Sequence, residues 1–401
     1  MFSQAWSLLK QDHWLLSFAT WVPMLVALTL WWIFAQGTPR QLPVGVVDLS
    51  HSHSARTFMQ TLQASPTLQL HRVYADATEA KTALVNGDIY AYSVIPSDFE
   101  RGLLLGLPPR VSTFYNSQYI LTGRLISSAV MAAQATFNAE VETLKTLMRG
   151  DQTAAGAVSL SVPIQTQVTA LFNRNNNYAQ FLVSAMVPAL WQILMVVITI
   201  MVLSTYVRQQ GLQAWLKGHP VRALLSALWP FMLLFWLQGL AFLLWFYVGL
   251  GWPFHGDFTT LMVAQALTVV ASTIMGVLFY FLTLDAAHSM SFAGAFTAPS
   301  FAFLGVTFPV SDMVGLAQFW RDLVPVTHYI GVQIDQANYG LSAWASLSPM
   351  WVMVGYAVPA LVAFWLIKRH LKRQRQPNPT TGGEPDLSAV ASPASATGVK
   401  L

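Results

Sequence analysis

Trp14-Leu-Leu-Ser-Phe-Ala-Thr-Trp-Val-Pro-Met-Leu-Val-Ala-Leu-Thr-Leu-Trp-Trp-Ile-Phe-Ala-Gln36 is the stretch whose reading decides the fold. It carries no charged residue. A helix rises about 1.5 Å per residue, so about 20 apolar residues cross ~30 Å of hydrocarbon. A secretory signal core is only ~7–15 residues long and leads into a small-residue cleavage site. This run is longer and no such site follows, so it reads as an uncleaved span. Downstream, residues 37–179 resemble an ordinary soluble domain, and residues 180–367 are dominated by further apolar runs. One span, a large polar insert and a bundle of spans describe a membrane protein with a module on the far side.

Composition agrees. Of 401 residues, 54% are hydrophobic and only 9% charged, against roughly 25% charged in a soluble domain. Fifteen tryptophans, many near the ends of apolar runs, suit the aromatic belts of a membrane interface. The absence of cysteine excludes disulfides, thiolate metal sites and cysteine nucleophiles. Lys368, Arg369, Lys372, Arg373 and Arg375 follow an apolar run and read as a membrane stop, with no nucleic-acid partner implied.

Six stretches are long and apolar enough to span: 14–36, 180–206, 224–250, 258–284, 289–309 and 347–367. The fifth is interrupted by Gly294, Pro299, Gly305 and Pro309. Arg208, Lys217 and Arg222 share a loop free of acidic residues, and the tail is basic, so both belong in the cytoplasm. The 251–257 connection has no Lys or Arg and the 310–346 connection only Arg321 beside Asp322; both belong outside. The expected architecture is an α-helical integral membrane protein of six transmembrane helices, both termini cytoplasmic, with an inserted α/β extracytoplasmic domain. Residues 1–13 form an amphipathic segment on the cytoplasmic interface, and 368–401 a basic, then disordered, tail.

Within the insert, Val44-Gly-Val-Val-Asp48 reads as a buried strand, 50–64 as a helix, and Leu68–Tyr74, Ile89–Ile95 and Arg110–Tyr115 as further strands. Asp76-Ala-Thr-Glu79 is a capping box opening a helix that stops at Gly87. Ser117–Met148 is helical in composition. Strands alternating with helices predict a mixed sheet covered by helices.

Catalytic signatures are missing. No Gly-x-x-x-x-Gly-Lys-Ser/Thr loop, Gly-x-Ser-x-Gly elbow or His-Glu-x-x-His pair occurs, so no catalytic residue, cofactor or metal ligand is assigned. His51-Ser-His53 and the Asp285/His288 pair read as solvated turns. Gln192, Gln238 and Gln265, inside spans, either line a pathway or hydrogen-bond between helices, the latter being favoured. The loop Tyr206-Val-Arg-Gln-Gln-Gly-Leu-Gln-Ala-Trp-Leu-Lys217, followed by Gly218-His-Pro-Val-Arg222, predicts a short helix with Leu212, Trp215 and Leu216 exposed. That apolar side suits lipid and a groove on a soluble partner equally.

In this loop the chain resembles the permease subunits of ABC-2-type transporters. Arg208-Gln-Gln-Gly211 and His219-Pro-Val-Arg222 stand where that family has a basic, glycine-containing segment and a proline-containing re-entry. The family usually has glutamates here, and this chain has Gln209, Gln210 and Gln213. Asn86-Gly-Asp-Ile-Tyr-Ala-Tyr-Ser-Val-Ile-Pro-Ser-Asp-Phe-Glu100 and Leu171-Phe-Asn173 resemble other parts of it, as do Gly305-Val-Thr-Phe-Pro309 and Val324-Pro-Val-Thr-His-Tyr329. The resemblance implies a bacterial inner-membrane permease without enzyme activity of its own. Its partners would be a cytoplasmic ATPase subunit that binds ATP and a second permease copy or paralogue. Some relatives also use a periplasmic adaptor and an outer-membrane channel. Arg208, Gln209, Gln210, Gly211, Leu212, Trp215 and Leu216 would couple to the ATPase. Phe308, Pro309, Met313, Pro325, Thr327 and His328 would form an outer gate. The alternative is a non-transporting membrane receptor with a ligand-binding outer domain.

Overall fold

The computed structural model describes residues 10, 12–35, 37, 39–105, 107, 109–148, 172 and 177–375. Most of the expected interfacial segment 1–13, Leu171 and Asn173, and the tail beyond Arg375 lie outside them. The chain divides into two compact units, residues 34–178 and the remainder.

The membrane unit opens with α1 (His13–Ala19) and α2 (Trp21–Phe34), which meet at a 47° bend. Asp12 caps α1, its carboxylate accepting from the Trp14 and Leu15 amides at 3.0 Å each. The bend has a cause in sequence. Pro23 has no N–H to give the Ala19 carbonyl four residues back, so the helical ladder opens at Thr20.

The second unit follows in chain order: β1 (Leu42–Asp48), α3 (His53–Gln63), β2 (Leu68–Tyr74), α4 (Ala77–Asn86), β3 (Ala91–Ile95), α5 (Phe99–Leu105), β4 (Ser112–Tyr115) and α6 (Ile120–Met148). The strand order is β2-β1-β3-β4, with β1 parallel to both neighbours and β4 antiparallel to β3. A central parallel strand is covered on both faces, and β1 is buried almost throughout. On one face Phe58 and Leu62 of α3 and Ile126 and Phe137 of α6 pack on Val44 and Val46. On the other, Ala80 and Ala83 of α4 pack with Val47, Tyr74 and Tyr92. A side chain at Gly45 would stand 2.6 Å from the Tyr74 ring, so only glycine fits there. The capping box forms: Asp76 accepts from the Thr78 and Glu79 amides, and Glu79 reaches back to the Ala75 amide. Gly87 ends α4 at φ +83°.

The membrane unit resumes with α7 (Tyr178–Gln210), α8 (Leu212–Leu216), α9 (Pro220–Leu244, ending in a π turn to Gly249), α10 (Phe258–Thr283), α11 (Ala286–Thr297), α12 (Ser300–Phe303), α13 (Gly315–Asp322), α14 (Pro325–Ala337), α15 (Leu347–Val354) and α16 (Ala357–Arg375). Among the described residues, four helical segments are long and apolar enough to cross a membrane: Tyr178–Gln210, Pro220–Gly249, Phe258–Thr283 and Leu347–Arg373. The bent α1–α2 pair makes a fifth if counted as one span. The chain is therefore a helical membrane protein, and large apolar side chains such as Trp14, Trp32, Leu225 and Trp365 stand exposed on its helices.

The expected fifth span, 289–309, is not among the helices long and apolar enough to cross. That stretch is not one helix: α11 stops at Thr297, Pro299 interrupts the ladder, α12 holds four residues, and Gly305 takes φ +79°. The 12 residues of α11 cover ~18 Å, well short of a hydrocarbon layer.

Phe58 is 1% exposed, in ring contact with Phe137 at 5.3 Å and Phe99 at 6.2 Å. Replacing Phe58 by Ala should cost about 3–5 kcal/mol. Proteolytic cleavage within 39–148 of the detergent-solubilised chain should then accelerate while the spans stay resistant.

Candidate functional site

The loop between α7 and α9 is built on two glycines and a proline. Gly211 (φ +76°) ends α7 by a turn open to few other residues, Gly218 takes φ +88°, and Pro220 starts α9 at a position where no N–H is needed. Between them sits α8. Its apolar residues do not face outward: Leu212 is 6% exposed and Leu216 1%. They point inward because α8 packs on α9 and α16. Trp215 is half-buried, its ring stacked on Tyr206 at 5.2 Å and 11°. The expectation of three exposed apolar residues is thus corrected. The outward surface consists of Arg208, Gln209, Gln210, Gly211, Gln213, Ala214 and Lys217, of which Gln213, Ala214 and Lys217 were not assigned a coupling role from sequence.

The second region surrounds α14. Its 13 residues span ~20 Å, too short to cross, yet ten of them are buried. It is held by hydrogen bonds with neighbouring elements, one of them to a carbonyl that a proline has orphaned. Pro188 inside α7 cannot bond the Ser184 carbonyl, and Gln333 of α14 donates Nε2–H to it at 3.0 Å. In return, Gln192 of α7 accepts from the Val326 amide in the first turn of α14 at 2.6 Å. Gln265 of α10 donates to the Tyr329 hydroxyl at 3.1 Å, and Gln336 accepts from the Asp257 amide at 2.9 Å. The same logic closes the α1–α2 bend, where Gln238 donates to the Ala19 carbonyl at 2.7 Å. All three span glutamines therefore hydrogen-bond to other helices. The signal was readable in part: a proline exposes the carbonyl four residues earlier, though nothing local says which glutamine answers it.

The residues expected at an outer gate fall into two groups. Pro325, Thr327 and His328 share the buried first turn of α14. Thr327 donates to the Val324 and Arg321 carbonyls at 2.6 and 2.7 Å. His328 Nε2 lies 2.9 Å from the Asp322 carbonyl oxygen, which can only accept, so that nitrogen carries a proton. Phe308 and Pro309 lie apart, on an exposed turn, while Met313 is buried. Gln318 ties that turn to α13, donating to the Val310 and Met313 carbonyls at 3.1 Å each.

The polar turns are structural. Asp48 accepts from the Ser50 and His51 amides. Asp285 caps α11, accepting from the His288 amide and ring at 2.8 Å each, which holds its carboxyl below the usual carboxylate range. Among the described residues no cluster of His, Cys, Asp and Glu could hold a metal. In the second unit a cleft of about 290 Å³ is floored by Phe58, Phe99 and Phe137 and rimmed by Glu142 and Lys145.

A family model described as ABC-2 family transporter protein matches residues 13–366 of the chain. A search of curated proteins found no match.

The exchange between α7 and α14 makes a paired prediction. Gln333→Leu should lower stability in detergent by about 1–2 kcal/mol, because it strands the Ser184 carbonyl. Adding Pro188→Ala should recover most of that loss, since an alanine at this position restores the missing N–H. Equal melting temperatures for the single and double variants would refute the pairing.

Proposed function

The chain belongs to the ABC-2 transporter family, and on that premise we propose that it is the transmembrane permease subunit of an ATP-driven exporter. Hydrolysis takes place in separate cytoplasmic ATPase subunits, which bind the ATP, and this chain converts their closure into substrate efflux. The observation that carries the reading is α8. It is a short helix slung between two spans, with Leu212 and Leu216 anchored in the chain's own core and a polar face turned outward. A docked subunit pushing on Arg208, Gln209, Gln210, Gly211 and Gln213 moves α8 as part of the bundle, because its apolar side is already engaged. Leu212, Trp215 and Leu216 act as the anchor, not as the contact.

The push has a route. The 33 residues of α7 form a rod of ~50 Å, with α8 at one end and the Gln192 and Ser184 bonds to α14 nearer the other. Tilting α7 strains both bonds and biases α14, whose first turn carries Pro325, Thr327 and His328. A two-state element biased from a distant site is what coupling requires. Phe308, Pro309 and Met313, on the turn leading into α13, complete the outer gate. A second copy or a paralogue supplies the other half of the pathway. The unit at 34–178 lies outside the membrane, where a periplasmic adaptor leading to an outer-membrane channel can dock. Both termini lie in the cytoplasm of a bacterial inner-membrane protein.

The aromatic-floored cleft of the second unit favours a second reading, a membrane receptor that binds a ligand there without transport. Co-purification separates the two: the permease brings an ATPase out of the membrane with it, and a receptor comes alone.

Two further outcomes are expected. Replacing Arg208, Gln210 and Gln213 together by Ala should leave the chain folded and abolish substrate-stimulated ATP hydrolysis, whereas Leu216→Asn should instead destabilise the loop. Because the chain has no cysteine, single-cysteine variants report topology cleanly. Thr57→Cys should react with an impermeant maleimide in cells whose outer membrane alone is permeable, and Gln213→Cys only after the inner membrane is opened.

A further inference from the structure

We propose that the space between α8, α9, α10 and α16 is a binding site for an anionic phospholipid. Two cavities make it up. One is a groove of about 420 Å³ walled by Leu225 and Leu228 of α9, Ile274 of α10 and Phe364 of α16, with no charged residue among its lining. The other is a cleft of about 590 Å³ whose lining includes Lys217, Lys368 and Lys372 and no acidic residue. They meet at two consecutive residue pairs: Pro220 lines the cleft and Val221 the groove, Lys368 the cleft and Ile367 the groove.

The chemistry of the two halves names the occupant. Three lysines converge, and among the described residues none of them is in an ion pair. Lys368 lays its ammonium 4.4 Å from the Phe364 ring, at the junction of the two cavities. The first turn of α9 adds backbone amides without a side-chain cap. This end attracts a phosphate. The apolar end runs alongside α9 from Val221 to Met232, or ~16 Å, which is about one leaflet of a ~30 Å hydrocarbon layer. A molecule with an anionic head and a leaflet-long apolar tail fills both.

Neither other macromolecule fits as well. A second copy seated here across a two-fold axis would set these lysines against their own equivalents. A water-soluble ATPase can reach the cleft but not a groove at hydrocarbon depth. The lipid lies against Lys217, directly after α8, and its head group borders Gln213 and Ala214 on the outward face of that helix. Basic pockets between spans on the cytoplasmic side are suited to anionic lipid heads.

The test uses the full chain purified with its ATPase partner and native mass spectrometry with phosphatidylglycerol or phosphatidylcholine. Phosphatidylglycerol should stay bound where phosphatidylcholine does not. Replacing Lys217, Lys368 and Lys372 together by Gln, all three being exposed, should weaken retention at least about tenfold. Leu225→Trp, which fills the groove and leaves the lysines in place, should weaken it as well. Unchanged retention in either variant overturns the proposal. So does displacement of the lipid by inorganic phosphate alone, which would mark a simple anion site. Loss of the ATPase from the lysine variant with lipid still bound also overturns it, reassigning the cleft to the subunit contact.

Discussion

A backbone carbonyl released by proline inside a hydrocarbon layer has no water to turn to, and its partner must come from the protein. Two places in this chain are arranged around that constraint, and a third meets its counterpart for an unpaired amide. Pro188 frees the Ser184 carbonyl and Gln333 takes it; Pro23 frees the Ala19 carbonyl and Gln238 takes it. The amide of Val326, in a first turn where helices leave N–H groups unpaired, is taken by Gln192. Each interrupted helix is thereby tied to another one. An individual bond of this kind contributes on average only about 0.6 kcal/mol in a membrane. The larger effect is on register: a carbonyl that must be met at one height fixes how two helices slide.

This explains how a helix as short as α14 sits buried in the bundle. It cannot span, and its ends would be costly if left open. Gln192, Gln265, Asp257 and Tyr356 meet α14 or the residues flanking it from α7, α10 and the α15–α16 region. Close backbone approach supports the same assembly. A side chain at Gly276 of α10 would stand 2.7 Å from Thr199 of α7, and one at Gly239 of α9 2.9 Å from both Gln265 and Trp191. Small residues at such crossings let the polar side chains reach across.

The α8 loop follows a different principle. A five-residue helix has no stability of its own, so it exists because Leu212 and Leu216 are buried against α9 and α16. The same burial fixes it to the bundle and leaves its polar side outward. Basic residues at the ends of α9 and α16 share that membrane face, which is where both a soluble partner and an anionic head group would arrive.

Much of this was legible from local pattern. The capping box at Asp76, the stop at Gly87, the strand Leu68–Tyr74 and the four long spans depend on residues a few positions apart, so periodicity and cap chemistry were enough. At 289–309 the average hydropathy suits a span, while Pro299 and Gly305 divide the stretch into shorter helical pieces. Sequence alone determined that the chain lives in a membrane, carries a polar insert between its first and second spans and has no nucleotide loop, because solvent partition and motif chemistry are properties of composition and spacing. The tertiary structure decided which face of α8 is buried and which glutamine answers which orphaned carbonyl. Those outcomes depend on helices brought together from distant parts of the chain, and a side chain's partner is set by what stands across from it.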